Sequence, residues 1–161
     1  MTSYQFRMPA GIPGDITRAN NAVVEPNLID QTLPPGLFGR FVKMVAGKVL
    51  DLASADPASV VYGIIVRPYP TQTTQASQGL GGGVPALNDP CSILRSGYVN
   101  VKLARGTAVR GAQVYVRTTA GSYAIGDIED TAASGQCVAV ANCFYMGAAD
   151  GSGNVEISYN L

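Results

Sequence analysis

The sequence predicts an all-β protein: a small β-barrel or jelly-roll-like sandwich with an extended N-terminal arm. Three observations lead to this fold class. Several segments alternate apolar and polar residues with the period of a half-buried strand, most regularly over residues 155–161. The segments are short and separated by glycine-containing turns, as in sandwiches and barrels. No window in the 161 residues combines a helical period with capping residues.

The length corresponds to a single domain, and we divide the chain into an arm, residues 1–38, and a β domain, residues 39–161. The arm contains five of the ten prolines. Proline has no amide donor and forces the residue before it into extended geometry. The arm cannot bury its apolar residues in a layer of its own, so they must lie against the protein's own core or another subunit. We expect the arm to pack against another chain through Ile12, Ile16, Val24 and Leu28.

The β domain is expected to begin with a hairpin. Residues 41–46 and 48–52 flank the pair Ala46-Gly47, which suits a tight turn. Residues 60–67 form a continuous apolar run, typical of a strand covered on both faces. Residues 71–90 are polar and glycine-rich with no regular period, so they are expected to form a long loop.

The second half of the chain supplies the remaining predicted strands. Alternation over residues 99–103 and 112–117 predicts two half-buried strands, and residues 123–125 follow a turn as a third. Residues 137–146 are rich in Val, Phe and Tyr. The last strand is expected to direct one set of alternating side chains to one face: Val155, Ile157, Tyr159 and Leu161.

Charged residues are few and unevenly placed. They make up 14% of the chain, with eleven basic and eleven acidic residues, and a protein with few charges and no net charge tends to associate. Residues 90–126 carry five bases and no acid, whereas residues 127–161 carry five acids and no base. These segments suit pairing within or between subunits, although solvated strand faces are the simpler interpretation. Binding to nucleic acid is not expected, because no basic stripe stands alone.

The residues that carry most enzyme chemistry are missing. There is no His and no Trp, which excludes Ser-His-Asp and Cys-His sites. The glycine cluster at residues 79–83 lacks the Lys-Ser/Thr of a phosphate loop. Asp127, Glu129 and Asp130 match no calcium loop and are expected to be solvated. We therefore predict no catalytic, cofactor-binding or metal-binding residues.

Cysteine usage and the absence of targeting signals point to a reducing compartment. The three cysteines, Cys91, Cys137 and Cys143, are an odd number without C-x-x-C spacing, which predicts free thiols. No apolar run is long enough to cross a membrane, and no apolar region follows the N-terminus as in a signal peptide. We expect synthesis in the host cytoplasm and no membrane partner.

Three stretches resemble one known family. Residues 8–18, MPAGIPGDITR, resemble the G-x-x-G-D-[IV]-[ST]-R opening of tailed-phage structural cement proteins, and the similarity continues at Val24-Glu25-Pro26. Residues 60–72, VVYGIIVRPYPTQ, are similar to the YG-[IVF]-x-V-R-P-Y-P stretch of that family. Residues 95–99, RSGYV, resemble its G-Y-[VI] strand. The resemblance covers most of the chain in order.

The resemblance implies a capsid decoration protein without a catalytic site or cofactor. Such a protein binds the major capsid protein on the outer surface of the virion and bridges its subunits, and a dimer or trimer suits that task. The residues expected to contact the partner are Ile12, Asp15, Arg18, Glu25, Arg67 and Tyr69. Arg67 and Tyr69 have an alternative role, which is to anchor the exit of the loop within one subunit.

Two other classes of function remain open. A phage tail or surface β-module that binds carbohydrate or a receptor is the first alternative, although a sugar binder usually offers Trp or Tyr platforms, and Trp is absent. A small glycan hydrolase is the second, because two acids that are distant in sequence can meet in space.

Overall fold

The computed structural model describes residues 11–68, 83–87 and 89–160. Across these residues the chain forms nine strands and no α-helix, which confirms the all-β prediction. The strands are β1 (Val23–Ile29), β2 (Phe41–Val45), β3 (Lys48–Asp51), β4 (Gly63–Val66), β5 (Pro90–Arg105), β6 (Gln113–Arg117), β7 (Ile128–Glu129), β8 (Cys137–Tyr145) and β9 (Asn154–Asn160). Three short 3-10 turns lie at Ala19–Asn21, Ala58–Val60 and Ala133–Gly135.

The strand pairings close two five-stranded rings that share β5. The first ring runs β1-β3-β2-β4-β5 and closes because β5 pairs with β1. The second runs β5-β7-β6-β8-β9 and closes because β9 pairs with β5. The 16 residues of β5 are long enough for both rings: residues 90–96 pair with β1, and residues 96–102 pair with β9. The second ring is a closed small barrel, as the sequence predicted.

Gly97 lies where β5 passes from one ring to the other. Its φ is +141°, and a Cβ atom there would lie 3.0 Å from the carbonyl oxygen of Asn21 and 3.1 Å from the Cα of Ala22. The backbone of the segment before β1 therefore approaches β5 more closely than a side chain would allow.

Apolar side chains form two clusters on opposite faces of β4 and β5. Ile64 and Val66 of β4 belong to the larger cluster, and Ile65 between them belongs to the smaller one. All four residues of β4 are buried, which confirms a strand covered on both faces. The ring of Phe41 meets that of Tyr159 edge to face at 5.9 Å, which joins the first ring to β9 of the second.

The predicted turns and strands agree with the structure at most positions. Ala46 and Gly47, with φ of 50° and 78°, connect β2 to β3 as a two-residue hairpin. The predicted strand at residues 123–125 is wrong. The Asp127 carboxylate accepts a hydrogen bond from the Ala124 N–H at 2.9 Å and so folds these residues into turns. The strand β7 follows instead and runs parallel to β5.

The segment predicted to be an arm contributes one strand to the first ring. Its residues 23–29 are extended, and as β1 they pair with β5 along their length and with β3 at Leu28 and Ile29. The sequence prediction placed few regular elements here. Residues 1–10 lie outside the described residues, and the division at residue 38 stays a prediction. So does the long loop over 71–90, of which only residues 83–87, 89 and 90 are described.

Candidate partner-binding surface

Residues 12–17 lie along the middle of β5 and continue its ladder. The Gly14 N–H donates to the Asn100 carbonyl at 2.8 Å, the Asn100 N–H donates to the Asp15 carbonyl at 2.9 Å, and the Thr17 N–H donates to the Tyr98 carbonyl at 3.1 Å. Ile16 forms an antiparallel bridge with Val99 and packs against the larger apolar cluster. Residues 14–17, the GDIT of the family-like opening, are therefore held by backbone hydrogen bonds within their own chain.

Gly14 and Gly39 allow two chain segments to touch. Gly14 has a φ of +92°, and a Cβ atom there would lie 2.7 Å from the Cβ of Phe38. A Cβ atom on Gly39 would lie 2.8 Å from the Gly14 nitrogen. The carbonyl of Gly14 accepts a hydrogen bond from the Arg67 N–H at 2.9 Å. The turn at residue 14 thus lies against both the end of β4 and the segment before β2.

Arg67 contacts its own chain at the exit of β4. Its Nε donates to the Pro13 carbonyl at 2.7 Å, its Nη1 donates to the Gly83 carbonyl at 3.5 Å, and its guanidinium lies 4.9 Å from the centre of the Phe38 ring. Burial lowers the pKa of Arg67, and the Asp15 carboxylate opposes this shift. These contacts match the anchoring role, while partner contact by Arg67 stays a prediction. Tyr69 lies outside the described residues.

Arg18 fixes the end of the same segment to the second ring. Its Nε and Nη2 donate to the two carboxylate oxygens of Glu156 at 3.2 and 3.0 Å, and its guanidinium lies 3.9 Å above the Tyr98 ring. The hydroxyl of Thr17 donates to the same carboxylate at 2.5 Å. A bidentate pair stacked on an aromatic ring suits arginine and not lysine.

Glu25 of β1 belongs to a third cluster, with Tyr62 just before β4 and Arg95 of β5. The hydroxyl of Tyr62 donates to Glu25 Oε2 at 2.5 Å, and Nε of Arg95 lies 3.6 Å from the same oxygen. The Arg95 guanidinium lies 3.5 Å from the centre of the Tyr62 ring. The structure thus brings Arg67 to the Ile12–Asp15 turn, and places Arg18 and Glu25 in two further clusters. Contact of these residues with a partner stays a prediction.

The outward face of β1 exposes a stripe of apolar side chains. We call Val24, Pro26 and Leu28 the β1 face. Val24 is 38% exposed and Leu28 is 50% exposed, whereas Ile29 on the opposite side of the strand is buried. The sequence singled out Val24 and Leu28, and the structure shows that they share one face with Pro26 and that all three side chains are exposed in part.

A cleft of about 240 Å³ opens beside the Arg67 anchor. Sequence analysis missed it, because its walls come from five separate parts of the chain and no local motif marks it. Its walls combine apolar residues (Pro13, Leu37, Phe38, Ala104 and Ile128) with charged ones (Arg40, Arg67, Lys102 and Asp127).

The basic and acidic segments of the sequence meet within the chain. Arg117 donates to Glu129 at 2.5 Å, and Arg105 lies 3.4 Å from the same carboxylate. Glu129 is fully buried, so the expectation of a solvated acid is wrong for this residue, because Arg117 neutralises it inside the second ring. Asp130 accepts a hydrogen bond from the Thr107 N–H at 2.8 Å, so it anchors a turn.

Other features of the described residues bear on chemistry. All three cysteines are free, as predicted. Over residues 11–68, 83–87 and 89–160, no three His, Cys, Asp or Glu side chains gather as a metal-ion site would require. None of the helices in that part of the chain could span a bilayer.

A closed small β-barrel with an N-terminal segment paired to its longest strand defines a small all-β protein of the structural or binding class. Residues 1–159 match the family of the XM1 gp53 minor capsid protein, and the chain belongs to that family. It is a phage capsid-associated protein and part of the virion, which confirms the resemblance to capsid proteins.

Solved structures with a similar fold include one of a phage capsid. It is titled "The capsid of Myoviridae Phage XM1"; the TM-score is 0.67, the sequence identity is 20%, and the match covers 98% of this chain and 95% of that chain. At this identity the likeness concerns the fold. No curated protein sequence matches the chain.

Proposed function

We propose that this protein is a structural cement. In this proposal it binds the outer surface of the assembled capsid as a dimer or trimer and bridges neighbouring major capsid protein subunits. It acts by binding and not by catalysis. Membership of a minor capsid protein family supports association with the capsid. The exposed apolar surface of the barrel supports binding to another subunit.

The β1 face is the observation that carries the proposal. Exposed apolar residues are ordinary when they are scattered, but here three successive outward positions of one strand are apolar and exposed. Burial of a leucine side chain contributes about 1.5–3 kcal/mol. A partner that covered Val24, Pro26 and Leu28 would therefore gain free energy that the isolated subunit does not.

The β1 face is held rigid before any partner arrives. β1 is paired with β5 along its length, and the Glu25–Tyr62–Arg95 cluster also fixes its middle to β5 and to the residue before β4. A preorganised surface loses little conformational entropy on binding. Bridging by such a surface resists the separation of the two subunits that it contacts.

Mass action gives the size of the stabilisation. A protein that binds only the assembled shell stabilises it by about 2.7 kcal/mol per site at a hundredfold excess over Kd. The six residues predicted from the resemblance remain part of this proposal. Ile12, Asp15 and Arg18 lie in the segment along β5, Arg67 contacts that segment, Glu25 lies on β1, and Tyr69 is outside the described residues.

Binding to undecorated capsids tests the proposal. Wild-type protein is expected to bind saturably. Leu28→Asp should weaken binding about tenfold or more, since it places a charge on the β1 face. Val109→Asp is the matched control, because Val109 is 59% exposed and lies between β5 and β6. If all three proteins bind equally, the β1 face is not part of the interface. If wild-type protein does not bind capsids, the proposed cement function is wrong.

A further inference from the structure

We propose that residues 4–8 of this chain lie across the outer face of the second ring and cover the exposed ring of Phe144. The second ring is the barrel formed by β5, β7, β6, β8 and β9, whereas β1 with its exposed face belongs to the first ring. The contact is therefore independent of the proposed function, and it holds whether or not the protein binds a capsid through the β1 face.

Phe144 is an exposed aromatic residue on the outer face of this barrel. It is 41% exposed, whereas its neighbours in β8, Cys143 and Tyr145, are fully buried in the larger apolar cluster. Phe144 pairs with Ser158 of β9, and Ser158 pairs with Tyr98 of β5. Directly paired residues share one face of a sheet. The small serine between two aromatic residues leaves room for an apolar side chain beside Phe144.

The described part of the chain begins on this same face. A Cβ atom on Gly11 would clash with Nδ2 of Asn100, so the backbone of Gly11 lies directly against that side chain. Asn100 and Tyr98 are two residues apart in β5, and side chains two apart in a strand point to the same face. Residues 1–10 therefore join the described structure beside the row that contains Phe144.

A turn at residues 12–15 directs the N-terminal segment toward that row. The Asp15 N–H donates to the Ile12 carbonyl at 3.2 Å, and Gly14 has a φ of +92°, so the chain reverses its direction here. After the turn the chain runs toward Tyr98, because the Thr17 N–H donates to the Tyr98 carbonyl at 3.1 Å. Followed backwards from the turn, the residues before it lead in the same direction, along the outer face of β5.

The distance to Phe144 matches the reach of residues 6–8. Neighbouring strands lie about 4.8 Å apart and two residues along a strand span about 6.7 Å, which places Phe144 about 12 Å from Asn100. An extended chain advances about 3.3 Å per residue, so Met8 lies about 10 Å and Phe6 about 17 Å from Gly11. The side chains of Met8 and Phe6 are therefore the ones that reach Phe144.

The sequence of the segment suits an apolar surface. Residues 4–8 read YQFRM, so large apolar residues alternate with polar ones, and an extended segment places all three on one face. Pro9 favours extended geometry for the residue before it. Because the segment is tethered only a few residues away, its effective concentration at Phe144 is on the order of millimolar. The chain's own segment is therefore favoured over the same segment of a second copy.

Photo-crosslinking from position 144 tests the contact. Benzoylphenylalanine replaces Phe144 in the full-length protein, and isotope-labelled and unlabelled proteins are mixed before irradiation, so that crosslinks within a chain are distinguished from those between chains. The crosslink should map to residues 4–8 of the same chain. A crosslink to residues 4–8 of a second copy, or no crosslink to residues 4–8, would overturn the proposal.

Tyr123 provides the control position for the same probe. It is 36% exposed and lies over Arg117, which pairs with Cys137 at the far end of β8. The seven residues from Cys137 to Phe144 span about 23 Å of strand. The probe in place of Tyr123 should therefore not label residues 4–8, and equal labelling from both positions would mean that the segment has no fixed contact with Phe144.

A double-variant cycle provides an independent measurement. Phe6→Ser and Phe144→Ser should each lower Tm by about 2–4 °C, and the double variant should lose clearly less than the sum, because residues in contact are not additive. The control pair, Phe6→Ser with Tyr123→Ser, should lose the sum of its single losses. If the losses from Phe6→Ser and Phe144→Ser add fully, or if Phe6→Ser leaves Tm unchanged, the proposed contact is wrong.

Discussion

Arg40 donates a hydrogen bond from Nη2 to Oδ1 of Asp127 at 2.8 Å and so ties the first ring to the second. Its Nη1 reaches Asp51 Oδ2 at 3.3 Å and the Ile125 carbonyl at 3.1 Å. One guanidinium therefore joins the end of β3 to the residue before β7. Burial raises the pKa of Asp51, and the charge of Arg40 opposes that shift.

Arg40→Ala should destabilise the protein by about 1–3 kcal/mol, because it leaves two partly buried carboxylates without their cation. The loss should depend on pH. An acid with a raised pKa in the folded state binds protons more tightly there, so stability rises as the pH falls through that pKa. Losing Arg40 raises the pKa of Asp51 further. The stability gap between variant and wild type should therefore narrow from about pH 7 to about pH 4 in urea unfolding. A gap that widens on acidification would contradict this account.

Breaking the buried Arg117–Glu129 pair should lower the free energy of unfolding by more than Arg40→Ala does. Glu129→Gln leaves Arg117, which is 2% exposed, without its anion, and such a loss costs about 3–5 kcal/mol. The double variant Arg117→Met with Glu129→Leu should recover most of that stability, because both charges are removed together. Urea denaturation gives the free energy of unfolding of the wild type, of Glu129→Gln and of the double variant. If the free energy of unfolding of Glu129→Gln lies within about 1 kcal/mol of the wild-type value, the pair does not stabilise the second ring as argued.

A pair of glycine variants separates crowding from backbone strain. Gly47→Ala introduces a side chain at a φ of +78° with nothing within 4 Å, so it should cost about 1–2 kcal/mol. Gly14→Ala adds a clash with Phe38 Cβ at 2.7 Å to similar strain. We expect Gly14→Ala to lower Tm clearly more than Gly47→Ala does. If both variants lower Tm equally, the backbone near residues 14 and 38 moves apart enough to accommodate the added methyl group.

The cysteine thiols should react slowly in the native protein. Burial raises the pKa of Cys91 and of Cys137 to about 11. The thiolate is the reactive form, so near pH 8 the alkylation of native protein should be about a hundredfold slower than that of an ordinary thiol. Alkylation in denaturant should reach three thiols per chain. Rapid native labelling, or fewer than three thiols after unfolding, would contradict the described environments.

Local patterns in the sequence predicted much of the fold. Period-two alternation identified β6, β9 and part of β5, enrichment in Val, Phe and Tyr identified β8, and the uninterrupted apolar run identified β4. These signals depend only on a strand and its own faces. The sequence did not reveal that β5 is shared by two rings, since strand sharing depends on pairings between distant segments. It misplaced residues 123–125 because Tyr123 and Ile125 look strand-like, while the Asp127 carboxylate holds them in turns.

The candidate surface was harder to predict than the fold. The motif residues Arg18, Glu25 and Arg67 stood out, but their partners Glu156, Tyr62 and Pro13 are 138, 37 and 54 positions away in sequence. Such contacts leave no local pattern. The cleft was missed for the same reason, because Leu37, Lys102 and Asp127 meet only after folding.

The release of DNA from heated heads tests the central claim most directly. DNA-filled heads that lack this protein would be heated alone, with wild-type protein, or with Leu28→Asp, while a dye reports released DNA. Our account predicts that wild type raises the release temperature and that Leu28→Asp does so far less at the same concentration. If wild-type protein is bound at saturation and the release temperature does not change, the protein is a passive decoration and the cement function is contradicted.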